Sequence, residues 1–197
     1  MKLNTLTAPR LDASERSDPA LLAAVALGDL SALGVLYDRY ARDVWRVLSR
    51  VMRDSSDVED VVHATFLNLP EIAGSFDGRP SCRNWICGVA VRLALRRGRS
   101  VQRFARMLSR FAETAWHQPA ADPERQAMHR QDLAAFERAL SSLSEKKRAV
   151  FVLVELQGLS QEEVARLLEI PAATVRTRLF GARQILREAI GREEGWS

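Results

Sequence analysis

Residues 159–187, LSQEEVARLLEIPAATVRTRLFGARQILR, restrict what this chain can fold into more than any other stretch. Ser160 precedes Glu163 by three residues, the spacing of a capping box: the hydroxyl accepts from the Glu163 backbone N–H, and the carboxylate accepts from that of Ser160. A helix therefore begins near Gln161. Val164, Leu167 and Leu168, with Ala165 as a small contact, make one buried stripe at i, i+3, i+4 spacing. Pro171 stops that helix, because it disfavours helical geometry at Ile170, and its ring is suited to open the next one. The turn is thus three or four residues long. In the second helix Val175, Leu179, Ala182 and Leu186 form the buried stripe, leaving Ala172, Ala173, Thr174, Arg176, Thr177, Arg178 and Arg183 on or near other faces. From Pro171 to Arg192, inclusive, stand five arginines and one acid, Glu188. A basic helix with small residues at its start can enter a major groove, where Arg reaches guanine edges or phosphates. The plainer alternative is a solvated basic face on a helical hairpin.

The chain has 197 residues, 47% of them hydrophobic, enough for two small cores. Its net charge of +4 suits a polyanionic partner. The two cysteines, Cys82 and Cys87, are too few for a disulfide framework and too far apart for a metal-ligand pair, so they read as core or idle thiols. With three His and no cluster at metal spacing, no metal and no cofactor are expected. Neither a Gly-rich phosphate loop nor a nucleophile motif appears, so no enzymatic activity is expected. No apolar run approaches the ~18 residues that span a bilayer, and no signal-peptide core opens the chain; a cytoplasmic protein with no membrane insertion is expected.

The expected fold is all-α. Residues 1–17 mix Thr, Ser, Pro and charges without period and read as a loose tail. Asp18 and Pro19 open a helix through Leu21, Leu22, Val25 and Ala26 that Gly28 ends. A long helix follows over about 30–52, with Leu33, Leu36, Tyr40, Val44, Val47, Leu48 and Val51 at helical spacing. Ser56 and Glu59 repeat the capping-box spacing and open a helix over 57–69, with Val58, Val61, Val62, Phe66 and Leu69 apolar, which Pro70 ends or kinks. After the turn-rich loop GSFDGRPS, a helix over about 83–97 turns Trp85, Ile86, Val89, Ala90 and Leu93 inward.

Between Gly78 and Ala112 there are nine arginines and no acid. Such a run repels itself unless a polyanion or a partner's acids neutralise it, which makes a phosphate backbone the natural counterpart. The alternative is a membrane-surface amphipathic helix over 101–111 with Phe104, Met107, Leu108 and Phe111 on its apolar face. Residues 112–130 carry Pro119 and Pro123 without a clean stripe and read as a flexible linker between two small helical domains, 18–111 and 131–191, with a short tail over 192–197. The second domain opens with a helix near 132–140. Ser144 then caps a segment in which Val150, Phe151, Val154 and Leu156 supply apolar surface, and Gly158 takes a C′ position.

In order along the chain, DPALLAAVALGD with LYDRYARDVWRVL, DVEDVVHATFL, FDGRPSCRNWICGVAVRLALR and GLSQEEVARLLEIPAATVRTRLFGARQIL together resemble a bacterial RNA polymerase sigma factor of the sigma-70 family, group IV or extracytoplasmic-function type. One helix-turn-helix is a weak signal; four ordered segments in a chain this short are a specific one. The resemblance implies regions 2 and 4 of that family. It further implies core RNA polymerase as partner, through its β′ clamp helices and β flap, together with promoter DNA and an anti-sigma factor.

For the polymerase the resemblance implies docking through Asp57, Glu59, Asp60 and His63, although acids in a first turn also stabilise any helix. The chain departs from the family pattern here: His63 and Ala64 stand where a Gln and an acid are usual, which implies a weaker or replaced contact. For the minus-10 element the implied residues are Phe76, Asp77, Arg79, Ser81, Arg83, Asn84, Arg92 and Arg96, which would receive unpaired bases and hold their phosphates. Trp85 lies in the apolar stripe, favouring packing over base stacking; for Phe76 both remain open. For the minus-35 element they are Pro171, Ala173, Thr174, Arg176, Thr177, Arg178 and Arg183. The expected function is promoter-directed transcription initiation. The rivals are a stand-alone helix-turn-helix regulator of LuxR type, which would need a sensor domain, and a decoy that binds polymerase without opening promoters.

Overall fold

A computed structural model describes residues 16–53, 57–108 and 136–193, and among these there are helices and turns but no strand. The expected linker over 112–130, the tail before residue 16 and Ser56 lie outside the described residues.

Helix α1, Asp18–Ala26, ends at Gly28, whose φ of 88° lets the Asp29 N–H reach the Ala24 carbonyl and the Gly28 N–H that of Val25. This is the Schellman ending, for which a left-handed residue at C′ is needed. The Asp29 carboxylate then accepts from the backbone N–H groups of Ser31 and Ala32, at 2.9 and 3.1 Å, and starts α2, Leu30–Val51. Helix α2 is the axis of the N-terminal half, with α1, α3 and α4 packed around it. Arg16 belongs to this half: it pairs with Asp29 at 3.3 Å, and its carbonyl accepts from Arg39.

Helix α3 spans Val58–Ile72, so it does not stop at Leu69. Pro70 removes only the N–H that would have bonded the Phe66 carbonyl, and the Ala73 N–H restores the ladder on Leu69 before a 3₁₀ turn over Ala73–Ser75. Val58, Val61, Val62, Phe66 and Leu69 are all buried, as is Thr65, whose hydroxyl donates to the Val61 carbonyl at 2.6 Å.

Helix α4 is longer than expected, one continuous element over Cys82–Leu108. The basic stretch after Arg97 continues it and is not a separate amphipathic helix; Gly98 within it costs only ~1 kcal/mol of propensity, too little to break a helix of this length. Cys82, Trp85, Ile86, Cys87, Val89, Ala90, Val91 and Ala94 are buried, and burial pushes both thiols up to about 12.

The C-terminal half comprises α5, with residues 136–142 described, α6, Glu145–Phe151, a π turn over Val152–Leu156, α7, Gln161–Leu168, and α8, Ala172–Glu193. The capping box forms as expected, with Glu163 N–H to Ser160 Oγ at 3.2 Å and Ser160 N–H to the Glu163 carboxylate at 2.8 Å. Gly158 has φ 70° at its turn. Arg148, 4% exposed, donates to the carbonyls of Ser141 and Leu143, at 3.0 and 3.1 Å, and so ties α5 to α6. The two halves touch: α4 packs on α7, and α2 on α6. At the tightest point a Cβ added to Gly88 would lie 2.6 Å from Cδ1 of Leu167, so any larger residue there would force the Leu167 side chain to move.

Candidate nucleic-acid interface

The first surface is the outer face of α8. The Pro171 carbonyl accepts from the N–H groups of Thr174 and Val175, so the proline caps the helix as its sequence predicts. Val175, Leu179, Ala182 and Leu186 are buried beneath it. Pro171, Ala173, Arg176, Thr177 and Arg183 are exposed, with Thr174 and Arg178 half-buried at the margin. The Thr177 hydroxyl donates to the Ala173 carbonyl at 2.9 Å, and Arg183 is drawn sideways by Glu155, 2.9 Å from its Nε. Phe180, 65% exposed, extends the line through Ala173, Arg176 and Thr177 and was not predicted; its signal is position, since it falls off the apolar stripe. The face can insert small residues and one aromatic against bases while its arginines reach phosphates or guanine edges.

The second surface is the loop before α4. Phe76 is half-buried and its ring lies 5.4 Å from that of Trp85, which is 6% exposed; both pack, leaving neither ring free in this conformation. The Asp77 carboxylate accepts from the Arg79 N–H at 2.9 Å, and the turn uses Gly78 at φ 84°. Asp77, Arg79 and Ser81 are exposed. Arg83 donates through Nε to Asp43 at 2.9 Å and through a second guanidinium nitrogen at 3.1 Å. Hydrogen bonding to Arg83 holds the Asp43 carboxyl below its ordinary range, and the same bond raises the arginine. Residues of the C-terminal half reach this surface. Gln157 accepts from Arg83 at 3.0 Å, and its carbonyl accepts from Asn84 at 3.4 Å; Glu169 accepts from Arg92 and, at 2.6 Å, from Arg96. A cavity of about 180 Å³ lies between, with Ser75, Asp77, Arg79 and Trp85 on one wall and Glu163, Arg166 and Leu167 on the other. Periodicity predicted which residues are buried but not these pairings, which join positions more than 70 residues apart.

The third surface is the outer side of α3. Glu59, Asp60 and His63 are exposed there, with Asp57 half-buried at the helix start. Leu67, one turn beyond His63, is 75% exposed and adds an apolar contact to an acidic face, another position outside the buried stripe. The His63 ring stacks at 6.1 Å on Tyr37, which is wedged against Phe66, so it is positioned by α2. Asp60 pairs with Arg97 at 3.2 Å, an exposed bridge of small energetic weight. Among the described residues no three His, Cys, Asp or Glu side chains gather as a metal site would need, and no helix is long and apolar enough to cross a membrane.

Comparison with known proteins identifies the family. Residues 36–104 match the family model Sigma-70 region 2, and residues 133–186 match Sigma-70, region 4. The chain is 31% identical over 177 residues to the ECF RNA polymerase sigma-E factor of Escherichia coli strain K12, spanning 86% of this chain and 92% of that one. It is 32% identical over 177 residues to the ECF RNA polymerase sigma factor SigM of Mycobacterium tuberculosis, spanning 90% and 86%. Among solved structures it is similar to CnrH in complex with the cytosolic domain of CnrY, with a TM-score of 0.57, 26% identity and coverage of 89% and 97%. The sigma factor RpoE of Bartonella quintana shares the fold at a TM-score of 0.58 and 21% identity, over 77% and 91%. A LuxR-type regulator is not favoured, since region 2 occupies the place of a sensor domain. An acidic helix, an arginine-rich loop and helix, and a helix-turn-helix thus stand in the order of regions 2 and 4, and the chain belongs to the extracytoplasmic-function sigma factors of the sigma-70 family, directing transcription initiation from promoters.

Proposed function

We propose that this sigma factor grips its promoter at two points, with no catalysis of its own. Pro171, Ala173, Thr174, Arg176, Thr177, Arg178 and Arg183 read the minus-35 element in the major groove. Phe76, Asp77, Arg79, Ser81, Arg83, Asn84, Arg92 and Arg96 hold the separated minus-10 strand. Asp57, Glu59, Asp60 and His63 dock on the polymerase β′ clamp helices, with Leu67 as their apolar centre. The unit boundaries at 18–111 and 131–191, with a linker over 112–130, a cytoplasmic setting and restraint by an anti-sigma factor complete the reading. Restraint by a partner is supported by the solved relative CnrH, which is bound to CnrY.

The observation that carries the proposal is the division of α8: its stripe is wholly buried while Ala173, Arg176 and Thr177 stand exposed beside one another. That leaves a row of side chains facing solvent, aligned as groove readers are. Footprinting of reconstituted holoenzyme on a promoter selected from a random library tests it. R176A is expected to lose protection upstream while keeping it at the start site, and a combined Arg92→Ala, Arg96→Ala variant to lose the downstream part. Loss of protection in the same region for both variants overturns the division of labour.

A further inference from the structure

Two helices of this chain end in the same Schellman geometry, and they use different residues at the left-handed position. In α1 that residue is Gly28. In α7 it is Glu169, with φ 54° and ψ 47°, the single non-glycine of positive φ among the described residues. The Glu169 N–H reaches the Arg166 carbonyl and the Ile170 N–H that of Ala165, so the turn itself asks for a glycine. A side chain at such a position is strained, and strain of this kind persists where other contacts over-determine it.

The contacts of Glu169 lie across the seam between the halves. One carboxylate oxygen accepts from Arg92 and the other from Arg96, 2.6 Å away. These arginines are one helical turn apart on α4, and a single anion shared between them is the arrangement a DNA phosphate would adopt. Gln157 meanwhile engages Arg83 and Asn84, and Leu167 and Arg166 wall the cavity beside Trp85.

We propose that Glu169 is a phosphate mimic that latches the recognition hairpin over the minus-10 surface, so that the C-terminal half competes with single-stranded DNA for Arg92 and Arg96. The inference rests on the assignment of those arginines to the minus-10 strand. In the latched chain four of the eight proposed minus-10 residues are occupied from within. Engagement of a DNA strand then requires the halves to part, which couples strand capture to separation of the two reading heads. Neither event needs a second protein to hold the closed form.

The test uses the full chain with Glu169→Gly and Glu169→Gln. Glycine removes the charge and relieves the turn, so a folding defect cannot explain its effect; glutamine removes the charge alone. Two readouts are taken at low salt: affinity for a fluorescent single-stranded oligodeoxynucleotide of mixed sequence, and energy transfer between dyes on Ala23→Cys and Gln184→Cys. Both variants are expected to bind the oligonucleotide about two- to tenfold more tightly, the gain from freeing a competent state held by two partly exposed ion pairs, with lower energy transfer. Glu162→Gln, which removes an exposed charge elsewhere on α7, is expected to change neither. An equal gain with Glu162→Gln, or no change in either readout for the Glu169 variants, overturns the latch and leaves the minus-10 assignment standing. Lower energy transfer without tighter binding also overturns it, and places the fault in the assignment of Arg92 and Arg96 to DNA.

Discussion

Replacing Gly88 by alanine sets two opposed effects against each other. Within α4, alanine is preferred over glycine by about 0.8–1 kcal/mol, so the helix alone gains. Across the seam, the new Cβ would meet Leu167 Cδ1 at 2.6 Å, and Cδ2 and Cγ at 3.0 Å. Rotation about χ2 moves the two methyls but not Cγ, so Leu167, only 8% exposed, also has to turn about χ1 within a packed site. Overpacking of this kind costs about 1–3 kcal/mol. The net expectation is a seam weakened by about 1–2 kcal/mol, roughly a tenfold shift from closed to open, in a chain whose N-terminal helices are no less stable. The assay is a double-mutant cycle of Gly88→Ala and Leu167→Ala, read by energy transfer between the halves. Truncating Leu167 alone weakens the seam, whereas in the alanine background it removes the clash, so the double variant should be closed more often than the single effects predict, with a coupling of about 0.5–3 kcal/mol. Strictly additive effects would refute the contact between α4 and α7 and the closed arrangement built on it.

Asp43→Asn removes the negative charge that pairs with Arg83 and should lower stability at neutral pH by no more than about 1 kcal/mol, since the pair is partly exposed. The folded carboxyl is depressed mainly by its hydrogen bond from Arg83, so its contribution is complete above the unfolded value and fades as pH falls through the folded one. Melting curves should therefore show the variant and the parent converging in acid, and a gap that widens there would contradict the pairing. Arg176→Ala and Arg178→Ala should each weaken promoter recognition by about 1–3 kcal/mol where a bidentate base contact is lost, and by less where only a phosphate is; gel-shift affinities equal to the parent's in both would remove them from the reading face. Asp60→Lys should reduce affinity for core polymerase in a pull-down titration, and unchanged binding would refute docking through α3.

The apolar stripes of α2, α3, α7 and α8 could be read from periodicity because each has one buried face and one partner side. The capping box at Ser160 and the turns at Gly28 and Gly158 could be read because their chemistry is local. Elements whose limits depend on packing were harder. Pro70 looks like a stop, yet α3 continues for two residues since little of the ladder remains to be lost; the helix expected over about 83–97 runs on to Leu108. The site divides in the same way. Exposed arginines on α8 follow from the stripe opposite them, and Leu67 and Phe180 stand out as apolar residues off a stripe once the helices are drawn. The bonds from Arg83 and Asn84 to Gln157, and from Arg92 and Arg96 to Glu169, leave no local trace, because hydrophobic spacing reports that a face is covered without reporting by what.

The most direct measurement is run-off transcription with core RNA polymerase and this chain on a library of templates randomised upstream of the start site. Transcripts enriched for two sequence elements at one fixed spacing are expected, with R176A erasing the upstream element alone. A chain that binds polymerase yet yields no selected sequence, or selects a single element, would contradict it.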